Sequence, residues 1–367
     1  MKKILLSLAV MALCITESYS QATFNTGALK VDVSDYGRIR LSTTGGVKQL
    51  ERASILVGTS STAVFEYTND ANGLDPAVLI TNPLLSDFEM YVSVDNTYSA
   101  LPPDVIVKVN IYGWTNKGYA IVKFNIKNNE TGTMTPLAGL DIIPSLDDTY
   151  GYDTVTYNST AGVIRFHRGA VENMGMKLLS ASLSSLYSFE WYDTYADLDS
   201  NYWTWMNEGS LQPVYVSTTA DGPVTITSQG PVSLAPGATY NVFYAMALGA
   251  NEQAMLANIA EAEVKYQTFI VGIQNVDPST NGFTLGQNSP NPFKNSTTIK
   301  YQLPADGFVS LKVYNTIGTE VATLVNSMQT KGSHSIQYNA NDLPSGVYYY
   351  TLRCGDQVKT NKMFLNK

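Results

Sequence analysis

Short runs in which apolar and polar residues alternate recur along most of this chain. In the clearest of them, Val107, Val109 and Ile111 share one face, and Lys108 and Asn110 share the other. Because successive side chains of a β-strand point to opposite faces of its sheet, this period of two indicates strands that are buried on one side. Turn-forming residues separate the runs at intervals of about 8 to 12 residues. The pattern predicts an all-β protein of antiparallel strands.

The segment 21–270 carries most of these runs and ends in a single helical pattern. A large antiparallel sandwich, with the supersandwich as one form of it, is favoured over two smaller sandwiches in tandem. In residues 251–269, apolar side chains recur at 4-3-4-3 spacing, and Asn251 is suited to cap the helix. Residues 271–283 are rich in polar residues and glycine, and they are predicted to form a linker.

The first twenty residues have the composition of a secretory signal peptide. Lys2 and Lys3 precede an apolar stretch over residues 4–15, and small residues stand at the −3 and −1 positions of a cleavage site after Ser20. No other apolar run approaches the roughly 18 residues needed to cross a bilayer, so no membrane span is predicted. The pattern predicts export of the chain.

The charge balance excludes several classes of partner. Removal of residues 1–20 takes two basic residues and one acidic residue from totals of 23 and 31, which leaves 21 and 30 and a net charge of −9. Nucleic acids and anionic membranes require a basic surface, so neither is an expected partner. Only Cys354 remains after Cys14 is removed, and an intrachain disulfide is therefore excluded.

The last part of the chain, residues 284–367, contains a series of ordered motifs between short alternating runs. It opens with Gln-Asn-Ser-Pro-Asn-Pro-Phe and closes with Lys-Met-Phe-Leu-Asn-Lys. Alternation with frequent turns predicts a small Ig-like sandwich. The residues that carry the motifs are Asn288, Pro290, Asn291, Pro292, Phe293, Gly318, Pro344, Ser345, Gly346, Tyr348, Lys362, Met363 and Lys367.

These motifs resemble the type A C-terminal sorting domain of the type IX secretion system, which Bacteroidetes and their relatives use. The resemblance covers residues from about 283 to 367, under a quarter of the chain. It implies that the secretion machinery at the outer membrane is a partner and that the sorting domain is removed. It also implies that the remaining protein is released or attached to the outer cell surface.

Residues 21–270 offer little support for nucleophilic or zinc chemistry. Their one histidine is His167, they contain no cysteine, and no Gly-x-Ser-x-Gly motif is present. A serine-type mechanism needs a histidine base beside the serine, and a zinc site needs several histidine or cysteine ligands. No catalytic residue is assigned.

Aromatic residues cluster between residues 187 and 205, together with carboxylates. One interpretation is a pair of core strands joined by an acidic hairpin loop. The other is a carbohydrate platform, in which flat rings stack on sugars and carboxylates accept hydrogen bonds from hydroxyl groups. The candidate ligand-binding residues are Trp191, Asp193, Asp197, Trp203 and Trp205.

The same segment suggests a structural calcium ion. Asp197, Asp199 and Asn201 place oxygen ligands at positions i, i+2 and i+4, as a calcium-binding loop requires. The spacing departs from the EF-hand because Tyr202 and Trp203 follow where that loop needs glycine. No other cofactor is predicted.

Three functions are compatible with these observations. The first is a secreted or surface protein that is not an enzyme and that binds a glycan or another surface protein, adheres, or has a structural role. The alternative is an extracellular carbohydrate-active hydrolase with paired carboxylates. The third is assembly into a multimeric layer, which would require the 251–269 helix to expose its apolar stripe.

Overall fold

A computed structural model describes residues 21–81, 83, 85–169, 173–191, 198–267, 283–316, 318–354 and 357–367. The described residues fall into two compact units that divide after Ile259. The predicted signal peptide and residues 271–282 of the predicted linker lie outside the described residues. Phe283, the last residue of that linker, belongs to the buried core of the second unit.

The first unit contains two antiparallel sheets. The strands of the first sheet are β1 (Gln21–Asn25), β2 (Lys30–Ser34), β3 (Ile39–Ser42), β4 (Lys48–Ser60), β5 (Ala63–Phe65), β10 (Leu137–Pro144), β14 (Leu183–Glu190) and β16 (Pro223–Gln229). They lie in the order β1-β2-β3-β4-β10-β16-β14, and β5 pairs with β4.

The second sheet has nine strands. These are β6 (Asn72–Leu79), β7 (Phe88–Asp95), β8 (Val105–Gly113), β9 (Tyr119–Asn128), β11 (Thr154–Asn158), β12 (Val163–His167), β13 (Asn173–Leu178), β15 (Val214–Val216) and β17 (Thr239–Gly249). Their order is β15-β11-β12-β13-β17-β9-β8-β7-β6.

One continuous core joins the two sheets. Val57 and Ile142 of the first sheet and Val109, Phe124 and Met176 of the second belong to the same cluster of buried side chains. The alternating run that indicated a strand lies in β8, and its apolar residues are at most 1% exposed. The predicted all-β sandwich is confirmed.

The predicted helix is also present, as α2 (Glu252–Lys265). The side-chain Oδ1 of Asn251 accepts a hydrogen bond from the backbone N–H of Ala254 at 2.9 Å, which is the predicted cap. Met255 packs so closely over Gly175 that a Cβ there would lie 2.0 Å from the sulfur. Met255 and Ile259 are buried, so this part of the stripe is not free to assemble with another chain.

A second helix, α1 (Asp199–Met206), corrects the sequence interpretation of the aromatic segment. One interpretation of this segment is a pair of core strands, but Trp203 and Trp205 both lie in this helix. Tyr202, Trp205 and Met206 are spaced i, i+3 and i+4, and all three are buried. They pack in a second apolar cluster with Leu56 and other residues of the outer face of the first sheet, which explains why this short segment is helical.

The second unit is a small sandwich of two sheets. One sheet contains β18 (Thr284–Leu285), β19 (Ser296–Leu303) and β22 (Gly332–Asn339), and the other contains β20 (Gly307–Tyr314), β21 (Glu320–Gln329), β23 (Gly346–Cys354) and β24 (Gln357–Leu365). The orders are β18-β19-β22 and β21-β20-β23-β24. Ile299 of one sheet and Leu311 and Leu352 of the other share a core, as the sequence predicted.

Candidate functional site

Two of the predicted platform residues lie in the cluster between α1 and the first sheet. Trp205 is 9% exposed, and its ring stacks on Phe189 with centroids 4.2 Å apart and planes 27° apart. Trp203 is half-buried, and a Cβ added at Gly58 would lie 3.3 Å from its ring. A sugar cannot stack on the face of Trp205 that Phe189 covers. Asp193 and Asp197 lie outside the described residues.

Trp191 occupies a different position, immediately after β14 at one end of the first sheet. It is half-buried and meets the ring of Tyr150 edge to face, with centroids 5.9 Å apart and planes 77° apart. Tyr150 is 38% exposed and lies in the loop that follows β10. We call these two residues the aromatic pair. Sequence reasoning missed Tyr150, because its contact with Trp191 depends on the order of the strands.

Beside the aromatic pair lies a group of charged side chains on β3, on β4 and immediately before β3, which we call the Glu51 cluster. It consists of the Glu51 carboxylate with Arg40 Nη2 at 2.6 Å, Lys48 Nζ at 2.7 Å and Arg38 Nη1 at 3.4 Å. The pairing of β3 with β4 shifts register between Ile39 and Leu41, so that Arg40 stands opposite a β-bulge. The alternation of Arg38 and Arg40 in the sequence was a signal that they share a face.

Electrostatics link Tyr150 to this cluster. Burial acts to raise the pKa of Glu51, but hydrogen bonds from Lys48 and Arg40 outweigh it and hold the pKa below its ordinary value. The pKa of Tyr150 is raised, first by burial and then by the negative charge of Glu51. Glu51 is therefore ionised and accepts hydrogen bonds at neutral pH.

Further along β4, Arg52 forms a buried ion pair on the outer face of the first sheet. Its Nη2 lies 2.7 Å from Oδ2 of Asp141, and the Asp141 side chain is fully buried. The guanidinium carbons of Arg52 and Arg38 lie 5.5 and 5.8 Å from the centroid of the Tyr67 ring. Arginine over an aromatic face is a favourable contact. Tyr67 thus connects the Glu51 cluster to this ion pair.

Two buried carboxyl groups of the first unit, those of Glu66 and Asp153, have raised pKa values. Burial raises the pKa of Glu66 to about 7, the charges of Asp70 and Asp141 add to the effect, and backbone N–H groups oppose it. Burial likewise raises the pKa of Asp153 to about 6, against the opposing charge of Arg168. Glu66 is 1% exposed and Asp153 is 0% exposed, so neither carboxyl faces solvent.

Glu190 precedes Trp191 and behaves in the opposite way. Burial acts to raise its pKa, but hydrogen bonds from the Thr219 hydroxyl, the Thr218 backbone N–H and the Ser217 hydroxyl outweigh it, and the pKa is lowered. These three donors lie 2.7, 2.9 and 3.0 Å from the carboxylate oxygens. Glu190 is thereby held ionised and fixed in position beside the aromatic pair.

The residues proposed for calcium do not form a loop in the described part of the chain. Asp199 and Asn201 lie in α1, and helical residues two positions apart do not face each other. Oδ2 of Asp199 accepts a hydrogen bond from the backbone N–H of Val64 at 3.3 Å. Among the described residues, no group of three histidine, cysteine, aspartate or glutamate side chains could hold a metal ion. Asp197 lies outside them, and the calcium site stays a prediction.

In the second unit, the first and last motifs are hydrogen-bonded to each other. The N–H of Phe293 donates to the carbonyl of Phe364 at 2.9 Å, and the N–H of Asn366 donates to the carbonyl of Phe293 at 2.8 Å. Oδ1 of Asn291 accepts from the N–H of Phe364 at 2.8 Å. The opening segment is thus paired with the last strand.

Other motif residues hold turns and the core of this unit. Asn288 Nδ2 donates to the carbonyl of Pro290 at 3.1 Å, and the hydroxyl of Tyr348 donates to the carbonyl of Pro344 at 2.9 Å. Gly318 has φ +83°, a conformation that favours glycine in a turn. Pro292 precedes the buried Phe293, and Met363 is fully buried. Gly346 begins β23, and the neighbouring Ser345 accepts a hydrogen bond at Oγ from the N–H of Lys367. Lys362 lies over the Phe364 ring.

Residues 289–366 match the family model of the secretion system C-terminal sorting domain. The second unit is a type IX secretion sorting domain. The sorting domain directs the chain through the type IX system to the cell surface or the extracellular space. No helix among the described residues is long and apolar enough to cross a membrane.

The chain is similar in part to solved structures of low sequence identity. A bacterial glucoamylase complexed with acarbose matches at 10% identity and a TM-score of 0.49, over 69% of this chain and 36% of that chain. A polysaccharide lyase matches at 9% identity and a TM-score of 0.35, over 95% and 46%. A putative aldose 1-epimerase from Escherichia coli K12 matches at 10% identity and a TM-score of 0.38, over 63% and 99%.

This chain thus spans less than half the length of the first two of these structures. No curated protein matches its sequence.

Proposed function

We propose that the exported first unit is a non-enzymatic β-sandwich that binds glycans at the aromatic pair. The observation that carries the proposal is the contact between the half-buried Trp191 and the exposed Tyr150, directly beside the Glu51 cluster. Sugar rings pack their apolar faces on aromatic side chains, while polar groups around the ring bind the hydroxyl groups. Tyr150 offers a ring and a hydroxyl, Glu51 offers an acceptor, and Arg40 offers donors.

The alternative, a carbohydrate-active hydrolase, requires a general acid that is protonated near neutral pH and reaches the substrate. Glu51 of the neighbouring cluster and Glu190, which precedes Trp191, have lowered pKa values and are ionised. Glu66 and Asp153 have pKa values suited to a general acid, but both are buried away from solvent. The carboxyls with raised pKa values are thus buried, and the two beside the aromatic pair are ionised, which favours binding over hydrolysis.

The test is a panel of polysaccharides presented to the purified full chain, scored by calorimetry for binding and by reducing-end release for hydrolysis. Trp191→Ala and Tyr150→Ala are expected to lower affinity at least about tenfold, as the loss of an aromatic anchor does. Tyr98→Ala is the matched control, because Tyr98 is 74% exposed in the same unit and lies outside the site. Reducing-end release that Glu190→Gln abolishes would establish the hydrolase instead.

A further inference from the structure

Positive charge is concentrated at the Glu51 cluster although the whole chain has a net charge of −8. Arg38, Arg40 and Lys48 all lie within 3.4 Å of one carboxylate. A second carboxylate, Asp148, accepts a hydrogen bond from the backbone N–H of Lys48 at 3.1 Å and is exposed. Three cations therefore face two carboxylates, and the cluster keeps an excess of positive charge.

Arg38 is the cation that the protein uses least. Arg40 donates from both Nε and Nη2 to Glu51, at 3.2 and 2.6 Å. Arg38 makes one long hydrogen bond, from Nη1 to Glu51 at 3.4 Å, and its Nε is buried without a hydrogen-bond partner, so the terminal Nη groups are the donors that a ligand would meet. A guanidinium has five N–H donors in a planar fork, which matches the oxygens of a carboxylate or sulfate. The Arg38 side chain is 27% exposed, so a ligand can reach it.

Arg38 is also held in position for such a ligand. Its guanidinium carbon lies 5.8 Å from the centroid of the Tyr67 ring, which restricts the motion of an otherwise flexible side chain. The loop that carries Tyr150 is joined to the same cluster, because Asp148, two residues before Tyr150, accepts a hydrogen bond from the backbone N–H of Lys48, whose Nζ lies 2.7 Å from Glu51. One extended ligand could therefore contact the aromatic pair and the cationic group together.

From this geometry we infer that the ligand is an anionic glycan, whose carboxylate or sulfate groups bind Arg38 and Arg40 while its sugar rings pack on Trp191 and Tyr150. This inference rests on the proposed glycan-binding function and names the class of glycan. Arg38 provides the main new contact, and Arg40 and Lys48 add charge. A neutral polysaccharide has no anionic group to bind Arg38, so the exposed N–H groups of Arg38 would stay hydrogen-bonded to water.

The experiment compares charged and neutral forms of the same polymers on the full chain. Polygalacturonate is paired with its methyl ester, and dextran sulfate is paired with dextran, so that the two pairs separate carboxylate from sulfate. Binding is measured by calorimetry at two salt concentrations. We expect one charged form to bind at least about tenfold more tightly than its neutral partner, with affinity falling as salt rises.

Three variants make the comparison specific. Arg38→Gln is expected to lower affinity for the charged form about tenfold, the size of a lost charge-assisted hydrogen bond, and to leave the neutral form unchanged. Arg40→Gln is the second variant at the site. Lys108→Gln removes an exposed positive charge from β8 of the second sheet, and it should have no effect.

The outcomes distinguish the inference from the function on which it rests. Equal binding of neutral and charged forms, lowered by Trp191→Ala but not by Arg38→Gln, would overturn the anionic ligand and keep the glycan site. Equal losses from Lys108→Gln and Arg38→Gln would indicate nonspecific binding to a polyanion and would also overturn it. Binding of none of the four polymers would overturn the inference for carboxylate and sulfate alike. The wider polysaccharide panel, with its Trp191→Ala arm, would then decide separately whether the proposed function survives.

Discussion

The ring of Trp205 stacks on the ring of Phe189, with centroids 4.2 Å apart, and Tyr202 meets the same indole edge to face at 5.8 Å. Trp205 belongs to the apolar cluster between α1 and the outer face of the first sheet. Trp191 lies only partly buried at the margin of that cluster. Two tryptophans of one aromatic segment therefore differ in burial, and we expect Trp205 to contribute to stability and Trp191 to the proposed glycan binding.

Replacing Trp205 by alanine should destabilise the first unit by about 3–5 kcal/mol, because it leaves a large cavity in a packed cluster. Trp191→Ala should cost clearly less stability, since that ring is already half-exposed. The free energy of unfolding of the full chain, measured with a denaturant, tests both. Glycan affinity, measured under conditions in which both variants are folded, should fall more for Trp191→Ala than for Trp205→Ala. A larger loss of affinity for Trp205→Ala would contradict the proposed role of Trp191.

The buried ion pair on the outer face of the first sheet gives a second prediction. Arg52→Ala should cost about 3–5 kcal/mol, because the Asp141 carboxylate would remain buried without its cation. The double variant Arg52→Met with Asp141→Leu should recover most of that loss, since apolar side chains of similar volume replace both charges. Denaturant unfolding of the two variants and the parent measures the effect. If the double variant is no more stable than Arg52→Ala, the charges are not what destabilises the single variant.

The raised pKa of Glu66 predicts how stability depends on pH. The ordinary value is 4.5 and the folded value is about 7, so between these pH values the folded state binds more protons than the unfolded state. Stability should therefore fall as pH rises through this window, by up to roughly 3 kcal/mol from this group. Glu66→Gln should reduce that fall. Unfolding free energies at pH 5 and pH 8 test it, with the exposed Glu208→Gln as control.

Gly139 in β10 gives the most local prediction. A Cβ at this position would lie 1.7 Å from the backbone carbonyl oxygen of Thr227, and a backbone atom cannot rotate away. Gly139→Ala should therefore shift β10 against β16 and destabilise the first unit by about 3 kcal/mol, the upper end of the usual cost of overpacking. Gly132→Ala, with no atom within 4 Å of its Cβ, should change stability little. Similar unfolding curves for the two variants would show that the strands adjust without cost.

Alternation in the sequence revealed strands with one solvated face, such as β8. It did not reveal β10, whose eight residues are all buried. Both faces of β10 are covered, the inner one by the sandwich core and the outer one by the cluster that includes Leu137 and Ile143. A strand in that position has no reason to alternate. The helix α1 was not predicted either, because its eight residues make little more than two turns and are too few to show a clear helical period.

Only part of the candidate site could be predicted from the sequence. Trp191 stood out as part of an aromatic segment, whereas Tyr150 and the Glu51 cluster did not. Those residues come from β3 and the residue before it, from β4 and from the loop after β10. They approach Trp191 because β4, β10, β16 and β14 are neighbours in one sheet. The sorting domain was recognisable for the opposite reason. Its motif residues act through local turns and through contacts within one short unit.

The pairing of Phe293 with the strand β24 has a consequence for when the export signal exists. The ribosome makes β24 after every other element described, and until then Phe293 lacks the backbone partners that Phe364 and Asn366 provide. A chain that has been made only as far as residue 356 therefore lacks the hydrogen bonds that join Phe293 to this strand. We expect folding of the sorting domain to follow the synthesis of β24, so that a partly made chain does not present a complete export signal.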